Sequence, residues 1–345
     1  MQCNRLQATV QDVAREAQVS VATVSRVFNH PDRVAQDARR RVETAARTLG
    51  YFPNASARTL RTQRSRVLGI VLPTLLNPVF AECLQGIARS ATAAGYSIVP
   101  LTTEYDLAQE ERAVNVLMAG SADAMILVVS NPASSVALQR LDAAGTPYVL
   151  AYNRHEGHPC VSVDSVAAVT ELVGRLARSG HARIAMVSGQ LAASDRAQQR
   201  HRGYVAGMEA AGLQPQLLEI PFDAPAGHIQ AWIARADRPT ALICSNDLIA
   251  LRAIQACSRE GLAVPRDISI VGFDGIELGK DLTPVLTTVV QPNEEIGRAA
   301  VEIVTAALAA GRKLSHADSR WLAWSFRDGG SCAWAGNPTT GRSAV

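Results

Sequence analysis

The segment that most restricts the folds open to this 345-residue chain is T-V-Q-D-V-A-R-E-A-Q-V-S-V-A-T-V-S-R-V-F-N, residues 9–29. Its apolar residues recur at helical spacing in two short runs interrupted at Gln18 and Val19, the pattern of two helices joined by a tight turn. Thr9 is placed to cap the first helix, and Asp12 three residues on gives a T-x-x-D variant of the capping box. Ser20 is placed to cap the second. Val13, Ala14 and Ala17, then Val24 and Val27, face inward, which leaves Val21, Ala22, Ser25 and Arg26 on or near the outer surface. Two helices this short cannot bury a core alone. A third, predicted over residues 37–49 with Val42, Ala45, Ala46 and Leu49 inward and Gly50 as its stop, closes the unit.

A helix-turn-helix of this kind offers its second helix to a DNA major groove, where base edges differ. Arg26 can donate a fork of hydrogen bonds to a guanine edge, Val21 and Ala22 suit a thymine methyl, and Ser20, Thr23 and Ser25 can reach phosphate oxygens. A second element follows at P-N-A-S-A-R-T-L, residues 53–60. Asn54 is an N-cap and the residues after it favour helix, yet one or two turns are unstable alone, so the segment is expected to fold on binding. Leu60, flanked by Arg58 and Arg61, can wedge into a minor-groove base step while the arginines hold phosphates; the plain alternative is a linker with one stray leucine. Charge agrees with the DNA reading. Residues 1–66 hold 12 arginines and no lysine against five carboxylates, a net +7, whereas the remainder holds 22 basic and 26 acidic residues, a net −4. A basic head on a mildly acidic body meets a polyanion through the head.

The order of these motifs resembles the LacI/GalR family of bacterial transcription regulators: a capped helix, a V-S-V-A-T-V-S-R-V recognition helix, L-G-Y-x-P-N-A and A-R-x-L. The resemblance runs from Ala8 to about Cys332. It implies that Val21, Ala22 and Arg26 read bases, that Leu60 is inserted at the centre of a palindromic operator, and that Thr9, Asn29, Ala57 and the residues named above complete the DNA-facing set. Two positions depart from the family: Ala35 stands where many members cap the third helix with Ser or Thr, forgoing about 1 kcal/mol, and Ser56 stands where a hydrophobic residue is common.

From Val67 onward, apolar runs at 67–72, 98–101, 124–129 and 148–151 alternate with helical stretches such as 80–94 and 135–144, and the alternation restarts at 184–187, 241–244 and 268–272. Two such sets imply two α/β lobes built on parallel sheets. The resemblance adds the periplasmic-binding-protein-like arrangement, with three crossings between lobes near Asp164, Gln291 and residues 320–326 and a ligand held between them. The expected fold is therefore an N-terminal all-α headpiece, residues 1–53; a hinge helix and linker, 54–66; a two-lobed α/β effector and dimerisation domain, 67–332; and a C-terminal tail, 333–345.

Ligands of open α/β sheets bind beyond the carboxyl ends of the strands. Phe80 follows the first run, Tyr152 and Asn153 the fourth, Arg196 and Arg200 lie beyond Gly189, Phe222 follows Ile220, and Asn246 and Asp274 end later runs. The resemblance assigns Arg200 (in R-x-x-G-Y), Asn246 and Asp274 to effector hydroxyls, and Phe80, Tyr152 and Phe222 to lining positions; Arg196 has no firm counterpart and is a candidate determinant of an anionic effector. Asp247 either caps the helix beginning near Leu248 or touches ligand. Aromatic, amide, guanidinium and carboxylate groups together suit a sugar or sugar acid better than a purine.

Catalytic and cofactor signals are missing: there is no G-x-S-x-G, P-loop or dinucleotide fingerprint, and H-E-G-H-P-C at 155–160 misses the H-E-x-x-H spacing and reads as a loop. The chain is therefore expected to be a non-enzyme without cofactor or metal. Its six scattered cysteines, the lack of an apolar run able to span a bilayer and the lack of a signal-peptide h-region lead to the expectation of a cytoplasmic location. The expected partners are double-stranded operator DNA, a small-molecule effector and a second copy of the chain; a solute-binding receptor without specific DNA regulation is the competing class. The tail beyond Cys332 has no leucine heptads, so a dimer without a tetramerising helix is expected.

Overall fold

The computed structural model describes residues 8–29, 31–51, 64–221 and 227–334, and the chain divides into two compact units, Met1–Ser65 and Arg66–Val345. In the first unit, α1 (Val10–Glu16), α2 (Val21–Asn29) and α3 (Gln36–Leu49) enclose a small core centred on Val13, Val24 and Val42, all fully buried. Thr9 and Asp12 form the capping box, the Asp12 amide donating to Thr9 Oγ1 at 3.3 Å and the Thr9 amide to Asp12 Oδ2 at 3.0 Å. The turn is set by Gln18, at φ 52°, which lets the Val19 amide reach the Ala14 carbonyl at 3.0 Å. Ala35 precedes α3 without a side-chain cap, and Gly50 ends it at φ 61°.

Leu49 is not in that core but 37% exposed. The left-handed turn at Gly50 carries the chain back, with the Tyr51 amide donating to the Ala46 carbonyl at 2.9 Å. That reversal sets Tyr51 against the core, its ring centroid 6.0 Å from that of Phe28, so Tyr51 covers the end of α3 that the helical stripe assigned to Leu49.

The second unit contains two six-stranded sheets. Its elements in chain order are β1 (Val67–Leu72), α4 (Pro78–Ala93), β2 (Ser97–Thr102), α5 (Leu107–Ala119), β3 (Ala124–Leu127), α6 (Val136–Ala144), β4 (Tyr148–Ala151), β5 (Cys160–Val163), α7 (Ser165–Arg178), β6 (Ile184–Gly189), α8 (Asp195–Ala210), β7 (Leu217–Ile220), α9 (Gly227–Ile233), β8 (Ala241–Cys244), α10 (Asp247–Arg259), β9 (Ser269–Asp274), β10 (Thr287–Val290), α11 (Asn293–Ala310), β11 (Arg320–Leu322) and β12 (Ser325–Arg327). The N-lobe sheet runs β2-β1-β3-β4-β5-β11 and the C-lobe sheet β7-β6-β8-β9-β10-β12. All pairings are parallel except β10 with β12, where Val289 faces Phe326. The chain crosses between lobes after β5, between β10 and α11, and between β11 and β12, the three places expected.

Both sheets carry buried apolar cores on each face, because Val, Ile and Leu fill β1, β3, β4, β6, β8 and β9 without alternation. In the N-lobe α4 crosses α11 at paired glycines: a Cβ on Gly86 would lie 2.1 Å from the Glu294 carbonyl oxygen, and one on Gly297 2.2 Å from that of Cys83. The C-lobe repeats the device where α7 meets α8, with Gly203 facing the Val166 carbonyl oxygen at 2.4 Å. Backbone-to-backbone contact at these crossings holds each helix pair rigid beside its sheet.

Candidate functional site

In the head, α2 buries Val24 and Val27 and turns Val21 (44% exposed), Ala22 and Arg26 outward, with Thr23 and Ser25 half-buried along its flanks. Ser20 caps the helix, its Oγ accepting from the Thr23 amide at 3.1 Å and lying 2.9 Å from Thr23 Oγ1. The hydroxyl of Thr9 donates to Asp12 Oδ2 at 2.7 Å. Asn29 ends α2. The exposed face thus carries the small apolar groups and the guanidinium that groove recognition requires. The hinge positions Asn54, Ala57, Arg58, Leu60 and Arg61 lie outside the described residues, as does Phe222.

In the body, a cavity of about 310 Å³ opens between the lobes at the carboxyl ends of the strands, a size at the small end of ligand pockets. Three helices point their N-termini at it. Asn77 caps α4, Ser194 caps α8 and Asn246 caps α10, and all three line the wall. Of the seven non-glycine residues with positive φ among the described residues, four line the cavity: Glu104 at 52°, Tyr105 at 62°, Tyr152 at 64° and Asp274 at 119°. Strain of this kind is held where the surrounding fold over-determines the backbone, and it concentrates at ligand sites.

Asp274, at the end of β9, is the hub. Its Oδ1 accepts from Arg200 Nη2 and from Gln291 Nε2, each at 3.0 Å, and its Oδ2 lies 3.5 Å from Asn77 Nδ2 across the lobe boundary. Burial pushes its carboxyl up, an effect that the Arg200 charge and these hydrogen bonds oppose. Arg200 also donates to the Ser245 carbonyl and stacks on Phe273, with Cζ 3.8 Å from the ring centroid. Phe80 and Tyr152 pack edge to face at 5.8 Å and form the apolar wall. The Tyr152 hydroxyl sits 3.0 Å from the Val79 carbonyl and 3.2 Å from Asn293 Oδ1. Burial holds that phenol far above its ordinary pKa, so it stays protonated.

A second polar group joins the lobes behind the cavity. Asn153, fully buried, bonds both backbone groups of Val129 and donates to Asp195 Oδ1 at 2.5 Å. Asp195 also accepts from Gln199 at 2.9 Å, and its amide donates to the Ser130 carbonyl at 2.8 Å. Arg196 Nη1 donates to the Val129 carbonyl at 2.8 Å and lies 3.3 Å from Asp195.

The structure therefore brings Phe80, Tyr152, Arg196, Arg200, Asn246 and Asp274 around one cavity, while Asn153 does not line it and instead ties the lobes together. Asp247 does neither of the things expected. Asn246 caps α10, its Oδ1 accepting from the Ile249 amide at 2.8 Å, while Asp247 is fully buried and bonds Thr288 Oγ1 at 2.6 Å and the Ile276 amide at 2.8 Å. Glu104, Tyr105, Gln190 and Ser194 also line the cavity. Glu104 and Tyr105 follow β2, so the strand-end rule that found Tyr152 would have found them. In the loop at 155–160 both ring nitrogens of His158 are engaged, with Tyr148 Oη at 2.7 Å and the Pro132 carbonyl at 3.2 Å.

Residues 9–54 match the description "Bacterial regulatory proteins, lacI family" and residues 173–332 match a periplasmic binding protein-like domain. The chain is 33% identical over 302 residues to the HTH-type transcriptional repressor CytR of Escherichia coli (strain K12), covering 85% of this chain and 88% of that one. A LacI-family transcriptional regulator from Silicibacter pomeroyi superposes with a TM-score of 0.82 at 26% identity, covering 94% of this chain and 99% of that one. The lac repressor dimer bound to operator and an anti-inducer superposes at 0.80, with 26% identity and the same coverage.

Proposed function

The chain belongs to the lacI family of bacterial regulatory proteins, and we propose that it is a cytoplasmic, effector-controlled transcriptional repressor that acts by binding rather than by catalysis. The observation that carries this reading is the pairing, in one chain, of an outward-facing α2 with a two-lobed body enclosing a polar cavity. Two copies present two heads to half-sites related by two-fold symmetry, as palindromic operators require. Val21, Ala22 and Arg26 read bases; Thr9, Ser20, Thr23, Ser25 and Asn29 set the register on the backbone. The segment 54–61 folds as a hinge helix on the operator, with Leu60 in the minor groove. The effector is a sugar or sugar acid held by Phe80, Tyr152, Arg196, Arg200, Asn246 and Asp274. Its binding changes the balance between lobe arrangements and so the pairing of the hinges.

A mobility-shift assay with genomic fragments tests the reading. Full-length protein is expected to shift a discrete fragment, and deletion of residues 1–66 to abolish the shift while ligand binding persists. Failure to shift any fragment sinks it.

A further inference from the structure

The cavity contains a cation that the fold leaves half-used. Arg196 is 6% exposed and lines the cavity, yet its Nη2 is buried with no hydrogen-bond partner among the described residues. Among the described residues, its one carboxylate contact is the 3.3 Å approach to Asp195. Asp195 is already committed elsewhere, accepting from Asn153 and Gln199. Arg200, four residues along α8, is 7% exposed and likewise leaves Nε without a partner among the described residues. A buried guanidinium with an open edge is costly unless a ligand completes its fork. The N-termini of α4, α8 and α10 converge on the same space and add positive potential there.

Building on the effector reading above, we propose that the ligand of this cavity is a polyhydroxy monocarboxylate, a sugar acid, whose carboxylate pairs with the unpartnered Nη2 of Arg196 at the first turn of α8. The hydroxyls fall to Asp274, Gln291 and Asn246, and the carbon chain lies against Phe80 and Tyr152. A neutral sugar would offer Arg196 Nη2 only an uncharged acceptor, a weaker partner than a carboxylate oxygen. A phosphate dianion would bring two charges beside Asp195 and Asp274, each held within an ion pair, and would oppose both. One negative charge matches one unpartnered Nη2.

The full-length protein is titrated calorimetrically with D-gluconate, D-galactonate, D-glucuronate and D-galacturonate. The comparison ligands are D-glucose, D-galactose, D-gluconamide, D-galactonamide, glucose 6-phosphate and cytidine. At least one acid is expected to bind, with its neutral amide or parent hexose weaker by roughly 10- to 100-fold. Arg196→Gln is expected to reduce acid affinity by a similar factor and to remove the preference of acid over neutral analogue, and Arg196→Lys to restore part of it. The comparison of acid with neutral analogue on the unaltered protein needs no variant, so an unfolded Arg196→Gln does not shield the idea. Equal binding of acid and neutral analogue, binding by a neutral sugar, nucleoside or phosphate ester alone, or binding by none of the acids overturns it. Any of these leaves the regulator reading standing as long as the ligand-free protein shifts its DNA fragment, since that assay does not involve the cavity.

Discussion

At the scale of single residues, the arginines of the head divide by what they face. Arg26 projects from the exposed side of α2 beside Val21 and Ala22, the face proposed to read base edges, whereas Arg58 belongs to the proposed hinge and is expected to hold phosphate. Arg26→Ala is expected to relax base preference at one position per half-site, at about 1–3 kcal/mol for the cognate base. Arg58→Ala should weaken all sequences alike and flatten the salt dependence. Binding titrations against an operator library separate the two, and identical behaviour would show the sorting to be wrong. In the body, Asn246 and Asp274 were legible as cavity-lining residues because they stand at strand ends, and Arg200, inside α8, because it belongs to the R-x-x-G-Y motif. The role of Asn153 was not legible: one residue beyond Tyr152, it turns to Val129 and Asp195 instead of the cavity. Adjacent side chains at the end of a strand part ways by backbone geometry, and Tyr152 sits at φ 64°, outside the extended range that residue spacing assumes.

At the scale of elements, the helix crossings decide how firmly each lobe is built. α4 and α11 approach through Gly86 and Gly297, and a methyl at either position meets a backbone oxygen rather than a side chain that could swing away. Gly297→Ala is therefore expected to destabilise the body by at least about 2 kcal/mol, read as a lower urea midpoint at unchanged m-value. Gly227→Ala is the matched control, since a Cβ there meets nothing within 4 Å, and it should stay within about 0.5 kcal/mol. A Gly297→Ala midpoint equal to the control's would remove the crossing as a structural constraint. The central strands were legible as continuous apolar runs, and β4 and β8 fall where the runs do. β11 and β12 were not, because Arg-Trp-Leu and Ser-Phe-Arg are short and only partly buried, with no periodicity to read. Their pairing depends on the sheet edge that receives them.

At the scale of the whole molecule, buried carboxyls couple stability to pH. Burial pushes Asp247 up to about 8, with the Asp274 charge adding to the rise. Asp195 and Asp274 are shifted in the same direction, also chiefly by burial. The native state thus keeps a proton on Asp247 that the unfolded chain releases near pH 4, so stability falls as pH rises from about 4 towards about 8, by at most about 1.4 kcal/mol per pH unit for this group. Asp247→Asn, which holds the side chain neutral, should flatten that decline in denaturation series between pH 5 and 9; an unchanged slope would acquit Asp247. The sequence by itself determined the local facts: a capped helix pair with a tight turn, a basic head, two sets of strands and helices, and the strand ends where polar side chains collect. These follow from periodicity, capping and charge, which act over a few residues. Only the tertiary structure decided which polar residues meet: Asn77 with Asp274, Asn153 with Asp195, and Arg196 with Val129 while its buried Nη2 has no hydrogen-bond partner among the described residues. Each of these contacts joins the two lobes, and the pairing of groups so far apart in sequence depends on how the three crossings set one sheet against the other.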